Sequence, residues 1–166
     1  MPDTITALAV TRLQALHATL KPSALKYVPA SLAVYPTQLN TNTLPAALAW
    51  PAGEAQFYHK GGGWGYAVVQ MAALLFIAPL GQNDIPANAA EAVRVYDAMR
   101  ALYITSSNIP LAEPGDNTGG YQITLESGPT AQHGDGGIEP NLSFGGAAFY
   151  GARFRLNVTL QWVPGS

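Results

Sequence analysis

The chain contains no cysteine, and it has few charged residues of either sign. The absence of cysteine excludes disulfides, thiolate metal sites and cysteine nucleophiles, and it leaves the redox compartment open. Asp, Glu, Lys and Arg make up 11% of the 166 residues, whereas they make up about 25% of an average soluble domain. Interface cores are depleted in Lys, Glu and Asp. The deficit therefore favours a surface covered in part by neighbouring subunits over a monomer with an uncharged polar surface.

Clustered positive charge and membrane-spanning segments are also missing. The formal net charge is −2, so the composition gives no sign of the clustered positive charge that nucleic-acid binding needs. The first residues include Asp3 and lack the basic and apolar regions of a signal peptide. The most apolar stretch, Tyr66 to Leu80, is interrupted by Gln70 and Pro79 and is shorter than the roughly 20 residues that span a bilayer. We therefore expect a soluble protein with no membrane partner.

Hydrophobic periodicity predicts two helices. The first covers residues 4–20 with Thr4 as its N-cap, and the second runs from Asn88 to Tyr103 after a capping-box-like opening. The predicted apolar faces consist of Ile5, Leu8, Leu13, Leu16 and Leu20 in the first helix and of Ala89, Ala92, Val93, Tyr96, Met99 and Tyr103 in the second.

The remaining patterned segments predict a sheet. Predicted strands or extended segments cover residues 31–36, 44–51, 56–60, 64–78, 121–126 and 154–162. Glycines before residues 64–78 and Pro79 after them favour a strand over a core helix, and such a long strand suits a sheet that continues beyond one subunit. Residues 127–146 are rich in Gly and Pro and are predicted to form a loop or arm. The element order predicts one domain, 1–166, of the α+β class, with a mainly antiparallel sheet flanked on one face by two helices.

No arrangement of catalytic or metal-binding residues is visible. The three histidines lack the spacing of metal ligands. His133, Asp135 and Glu139 form the one cluster that suggests a metal, but a solvated Gly-rich loop is the favoured interpretation because such a loop does not preorganise ligands. The glycine-rich stretch 61–65 lacks the Gly-Lys-Ser/Thr ending of a phosphate loop, and no Gly-x-Ser-x-Gly elbow occurs. We expect neither enzymatic activity nor a cofactor.

Charge is unevenly distributed along the chain. Between Ala101 and Ala152 there is no Lys or Arg. The acidic residues of this stretch are Glu113, Asp116, Glu126, Asp135 and Glu139. The simpler interpretation is that these carboxylates are solvated groups on loops. The alternative hypothesis is that these carboxylates, repeated around a ring, form a negative rim or lumen along which DNA slides.

Aromatic residues supply the candidate contact surface. The residues predicted to form subunit contacts are Trp50, Trp64, Tyr66, Phe144, Phe149 and Tyr150. For Trp50, Trp64 and Tyr66, packing in the core or between subunits is favoured over an aromatic platform that binds carbohydrate.

The order and character of these elements resemble the tail-terminator family of long-tailed bacteriophages and related minor tail proteins. The likeness rests on the N-terminal helix with Leu8, Leu13 and Leu16, the Pro-flanked stretch Leu44 to Pro51, the long strand Trp64 to Ala78 after a Gly-rich turn, the helix Asn88 to Tyr103 and the closing strand Phe154 to Trp162. It covers nearly the whole chain and depends on element order rather than on a diagnostic motif.

The resemblance implies a homohexameric ring on the last ring of the tail tube. Such a ring stops tube growth, contacts a head-completion or connector protein, and lets genomic DNA pass without specific binding. The helices would face outwards or a neighbouring subunit, and the sheet and loops would form the ring and its lumen. The protein would be made in the host cytoplasm and reside in the virion. Tail-tube proteins and head–tail connectors have related plans, so another position in the tail or neck is the main alternative.

Overall fold

The computed structural model describes residues 5–30, 32–61, 64–80, 89–106, 121–125 and 137–162. Within these ranges the chain forms two helices and six strands. In chain order they are α1 (Ile5–Ala18), β1 (Ala46–Pro51), β2 (Gln56–Gly61), β3 (Trp64–Pro79), α2 (Ala89–Ser106), β4 (Tyr121–Leu125), β5 (Glu139–Phe144) and β6 (Ala147–Trp162). All strand pairs are antiparallel, and both helices pack on one face of the sheet. The predicted α+β architecture is confirmed.

The two longest strands form the centre of the sheet. β3 and β6 pair from Gly65 opposite Trp162 to Pro79 opposite Phe149. β1 and β2 pair with the other side of β3, whereas β4 and β5 pair with the other side of β6. The long strand β3 is therefore paired on both sides within one chain, and its length does not require a sheet shared between subunits.

Side chains along the central strands β3 and β6 point alternately to the two faces of the sheet. On β3, Val69, Met71, Ala73 and Leu75 face the helices, and on β6 the alternate residues from Phe154 to Leu160 do the same. Side chains at every second position lie on the same face of a strand. This face and the helices form the main hydrophobic core.

Each helix buries a stripe slightly different from the predicted one. In α1, Leu13 and Leu16 are buried as expected, but Leu8 is 38% exposed and the neighbouring Ala9 and Val10 are fully buried. The small side chain of Ala9 allows the helix to approach the sheet closely.

In α2, too, the buried face differs slightly from the predicted one. Ala92, Val95, Met99 and Tyr103 are buried, whereas Val93 is half exposed. The buried positions follow one another at intervals of three or four residues, which places them on a single helical face.

Two segments differ from their predicted secondary structure. Residues 139–144, predicted to lie in a loop, form β5 because a tight turn at Gly145 and Gly146, both with positive φ, folds them back onto β6. Residues 31–36, predicted to form a strand, contain a single 3₁₀ turn over Leu32–Val34. Their place beside β1 is taken by Tyr27, which forms a parallel bridge to Ala46.

Among the described residues, the face of the sheet opposite the helices is covered only at one end. There Leu44, Leu48, Phe76, Leu142 and Phe149 form a second, smaller core. The rest of this face carries partly or fully exposed side chains, including those at positions 70, 72, 74, 153 and 155. We call this uncovered area the open face.

Candidate functional site

Two adjoining cavities on the open face share the side chains of Trp50 and Leu74. The larger has a volume of about 470 Å³ and is lined by Tyr35, Pro36, Thr37, Trp50, Leu74 and Phe144. The smaller has a volume of about 320 Å³ and is lined by Trp50, Pro51, Ala52, Ala72, Leu74, Arg153 and Arg155. We call the two together the Trp50 groove.

Sheet register places the residues of the groove. Trp50 lies opposite Ala72 on β3, and Ala72 lies opposite Arg155 on β6. Because directly opposed residues share a face of the sheet, the indole and the Arg155 guanidinium lie on the same side. The small Ala72 between them leaves the space that the smaller cavity occupies.

Tyr35 fixes the outer wall of the groove. Its hydroxyl donates a hydrogen bond to the Ala49 carbonyl at 2.6 Å, and its ring lies 5.5 Å from the Trp50 ring, centroid to centroid. Burial raises the pKa of the Tyr35 hydroxyl, and the charge of Tyr27 adds to the shift. The hydroxyl therefore stays protonated at neutral pH and remains a hydrogen-bond donor.

The floor of the larger cavity is rigid and apolar. Phe144 packs against Phe76 with ring centroids 5.5 Å apart, and Phe76 is fully buried in the second core. Trp50 itself remains 53% exposed. A half-exposed tryptophan beside a preformed apolar concavity is typical of a surface that binds a partner, since aromatic side chains dominate interface energetics.

Positive charge flanks the smaller cavity. Arg153 and Arg155 are exposed, and neither forms an ion pair or hydrogen bond with another residue in the described ranges. The groove thus combines an apolar cavity with two cationic groups on one rim. This combination suits a partner that presents an apolar side chain next to a carboxylate.

The predicted contact residues divide into three groups. Trp50 and Phe144 line the groove. Phe149 and Tyr150 are 3% and 7% exposed, so packing within the chain accounts for both and leaves little of either for a neighbouring subunit. Tyr66 is partly buried, and the side chain of Trp64 lies outside the described part of the structure.

The aromatic residues considered for carbohydrate binding do not form one platform. Tyr66 lies six positions along β3 from Ala72, the residue opposite Trp50. At about 3.3 Å per residue, the two aromatic side chains start roughly 20 Å apart along the strand direction. Trp50 therefore forms a patch with Tyr35 rather than with Tyr66.

Most of the predicted acidic rim lies outside the described residues. This applies to Glu113, Asp116, Glu126 and Asp135, so the rim hypothesis stays a prediction. Glu139 is described: it is the first residue of β5, it is exposed, and it lies opposite Gly151. Asp135 and His133, considered as metal ligands with Glu139, also lie outside the described ranges. No cluster of three or more His, Cys, Asp or Glu residues that could hold a metal occurs in the described part.

Sequence reasoning identified Trp50 but missed Tyr35, Leu74, Arg153 and Arg155. Tyr35 was assigned to a strand and Leu74 to the long apolar strand 64–78, so neither suggested a cavity. A signal for the arginines was present, because Arg155 is one of the polar residues that alternate with apolar ones in the predicted strand 154–162, and Arg153 extends that alternation by one step. Only the pairing of β6 with β3 brings that alternation next to Trp50.

Neither described helix combines the length and apolar character needed to cross a membrane. A scan against protein-family models and a search of curated proteins gave no match to this chain.

Proposed function

We propose that this chain is a non-enzymatic structural protein that assembles with copies of itself into a ring at the head-proximal end of a bacteriophage tail tube. The observation that supports assembly best is the Trp50 groove, an apolar concavity that leaves a large aromatic side chain half exposed. Exposed apolar concavities of this kind mark interaction sites on soluble proteins.

The charge deficit supports the same conclusion. The whole chain contains eight basic and ten acidic residues. In addition, exposed apolar side chains occur on several helices, strands and loops. The exposed large hydrophobic residues are Leu8, Leu32, Val34, Trp50, Phe57, Tyr58, Val93, Ile104 and Ile138. Burying a surface with few charges and many apolar groups against a neighbour costs less desolvation free energy than burying a charged surface.

The position in the phage tail is proposed from the resemblance in element order. The ring would end polymerisation of the tail-tube protein and bind a head-completion or connector protein, and DNA would pass through its lumen. In this proposal the virion is the site of action. A tail-tube or neck protein at another level is the alternative, and it differs in how the subunits stack rather than in the fold of one subunit.

The oligomeric state of the purified full-length chain tests the proposal. Sedimentation velocity combined with negative-stain imaging is expected to show closed rings of about six subunits, the ring size that the resemblance implies. Open tubes would favour the tube-protein alternative, because head-to-tail contacts that stack without end produce filaments. A chain that stays monomeric at high concentration and occurs in no virus-like particle would contradict the proposal.

A further inference from the structure

The sheet has a different pair of edge strands at each of its two ends. At one end β1 pairs with β3 and β5 pairs with β6, whereas at the other end β2 and β4 take these places. Among the described residues, each of these four strands pairs with one other strand only. An edge strand presents unpaired backbone N–H and C=O groups, so it can serve as a template for a strand of another chain.

The outer edge of β1 is occupied by the chain itself. The Ala47 N–H donates a hydrogen bond to the Tyr27 carbonyl, and the Ala49 carbonyl accepts one from the Tyr35 hydroxyl. Both groups point away from β3. Little of this edge is therefore left for a partner strand.

The outer edge of β5 is irregular. Pro140 has no N–H to donate, Asn141 has a positive φ of 65°, and the register with β6 shifts between Glu139 and Leu142. Prolines and bulges protect natural edge strands from pairing with other chains. We therefore expect no strand pairing at β5.

The edges β2 and β4 lack this protection. The register with the neighbouring strand is regular from Gln56 to His59 on β2 and throughout β4, and neither strand contains proline. Lys60 is the single Asp, Glu, Lys or Arg residue in the two strands, and it lies at the end of β2, where the register shifts. Both strands can therefore accept a further strand.

The backbone of Phe57 points outwards from β2. The Gln70 carbonyl on β3 accepts a hydrogen bond from the Ala52 N–H, so Gln70 directs its backbone groups towards the side of β1 and β2. Backbone groups of successive residues in a strand point to alternate sides. Ala67 lies three residues from Gln70 and belongs to the other set, so its partner Phe57 does not bond to β3. The N–H and C=O of Phe57 are therefore available to a neighbouring strand.

The backbone of Ile123 points outwards from β4 by the same alternation. Val69 follows Ala67 by two residues on β3, so it bonds to its partner on β6, Val158. Ile123 lies on the other side of Val158, and its own N–H and C=O therefore point away from β6. Ile123 and Phe57 both place their side chains on the face that carries the helices, since they lie opposite Val158 and Ala67.

The two edges also fit each other in direction. Three antiparallel pairings, β2 with β3, β3 with β6 and β6 with β4, join them, so β2 and β4 run in opposite directions. A second copy that lies beside the first with its helices on the same side brings its β4 antiparallel to β2. Directly opposed residues share a face of the sheet, and Phe57 and Ile123 satisfy this condition.

We propose that β2 of one copy pairs antiparallel with β4 of a second copy, with Phe57 opposite Ile123, so that the sheet continues from subunit to subunit. This inference rests on the proposed ring and specifies the contact that builds it. A contact between two different surfaces is heterologous, and such contacts generate rings when the rotation between neighbours closes. β1, which carries Trp50, borders β3 on the same side as β2, so the same neighbour approaches the Trp50 groove.

A proline substitution tests the backbone pairing. Phe57→Pro is expected to weaken self-association about tenfold or more, because it removes the outward N–H and places a ring where the partner strand would lie. It leaves the hydrogen bonds between β2 and β3 in place, and edge strands tolerate proline at such positions, so the circular dichroism spectrum is expected to stay unchanged. Phe57→Ala is the matched control: it truncates the same side chain but keeps the N–H, and it is expected to assemble in sedimentation velocity.

A cross-linking experiment tests which strands meet. The chain has no cysteine, so each single variant introduces one thiol. With Phe57 opposite Ile123, Tyr58 lies opposite Gln122 of the neighbour in a non-hydrogen-bonded pair, where Cα atoms are about 4.5 Å apart and a disulfide can form. Mild oxidation of a mixture of Tyr58→Cys and Gln122→Cys is expected to give a covalent dimer on a denaturing gel. A mixture of Tyr58→Cys with Val93→Cys, which places the thiol on α2, is expected to give none.

The outcomes separate this inference from the proposed function. If the wild type forms rings, but Phe57→Pro assembles normally and the Tyr58→Cys and Gln122→Cys mixture gives no dimer, the ring stands and the contact between β2 and β4 is wrong. A dimer from Tyr58→Cys with Gln56→Cys instead would mean that β2 pairs with β2, which also overturns the inference. If the wild type remains monomeric at high concentration, the ring itself is wrong. Loss of assembly in a folded Phe57→Pro variant together with the cross-link would establish the contact.

Discussion

The Nε2 atom of His17 lies 2.5 Å from the hydroxyl oxygen of Tyr103, in a fully buried hydrogen bond that joins α1 to α2. The two rings meet edge to face with centroids 5.7 Å apart. Which of the two groups donates depends on the imidazole tautomer. His17 Nδ1 and both polar atoms of the Gln14 side chain are buried without a hydrogen-bond partner. The contact between the two helices therefore includes a buried polar pair that lies among apolar side chains and beside the buried amide of Gln14.

Removing one partner of this hydrogen bond is expected to destabilise the fold. Tyr103→Phe leaves His17 Nε2 buried and unpaired, which costs about 1–3 kcal/mol. The double variant His17→Leu/Tyr103→Phe is expected to be more stable than the sum of the single variants, because it leaves no unpaired polar atom at the contact. Urea unfolding followed by circular dichroism measures both effects. Strictly additive losses would show that the two side chains are not coupled.

Stability is expected to decrease in mild acid because of His17. Burial lowers its pKa from 6.5 to about 3. Below pH 6.5 the unfolded chain binds a proton at His17, while the folded chain does not until about pH 3, so the free energy of unfolding decreases as the pH falls through this window. The loss from this one group is at most about 1.4 kcal/mol per pH unit.

Unfolding free energies at about pH 7.5 and about pH 5, measured at one protein concentration, test this dependence. His17→Leu has no imidazole and is expected to lose most of the difference between the two conditions. An equal difference in wild type and variant would assign the pH dependence to other groups.

Gly151→Ala is expected to destabilise the centre of the sheet. A Cβ atom at Gly151 would lie 2.0 Å from the Leu75 carbonyl oxygen and 2.9 Å from a methyl carbon of Leu142. Because the first contact is backbone, the strands must move apart, and overpacking of this kind costs about 1–3 kcal/mol. Gly53→Ala is the matched control: its Cβ would meet the Gln70 side chain, which is exposed and can rotate away. Thermal unfolding of both variants checks the ranking, and equal melting temperatures would contradict it.

Trp50→Ala is expected to abolish assembly while leaving the fold intact. The side chain is 53% exposed, so its loss removes little core packing, whereas tryptophan side chains at interface centres contribute about 2 kcal/mol or more to binding. Phe57→Ala is the matched control, because Phe57 is 47% exposed but lies opposite Ala67, on the other face of the sheet. Sedimentation velocity and circular dichroism report assembly and folding separately. Normal assembly of the Trp50 variant would exclude the groove from the subunit contact.

Local sequence patterns predicted the helices and the long strands because buried side chains recur every three or four residues in a helix and at every second residue in a strand. The alternation from Phe154 to Trp162 predicted the second half of β6, and the glycines and Pro79 bounded β3 correctly. The first half of β6 was missed, since residues 147–153 contain small residues and a glycine that weaken the alternation. β5 was missed for a related reason: its strand character comes from pairing with β6, not from an apolar pattern of its own.

The face that each helix buries was predicted only approximately. Val93 satisfies the helical period as well as Val95 does within a short window, yet Val95 is fully buried and Val93 is half exposed. The rotation of α2 is decided by where it meets β4 and the core residue Phe154, which lies 5.1 Å from the Tyr103 ring. Such information is absent from the helix itself.

The sequence alone determined the two helices and most of the long strands, how little charge the chain carries, and that Trp50 is a candidate contact residue. Those properties depend on the side-chain types within one element or on the whole composition. Only the tertiary structure decided that Tyr35 and Trp50 adjoin Arg153 and Arg155, because the register of β1 on β3 and of β3 on β6 brings together residues about a hundred positions apart. A one-residue shift in either ladder would turn one wall of the groove to the opposite face.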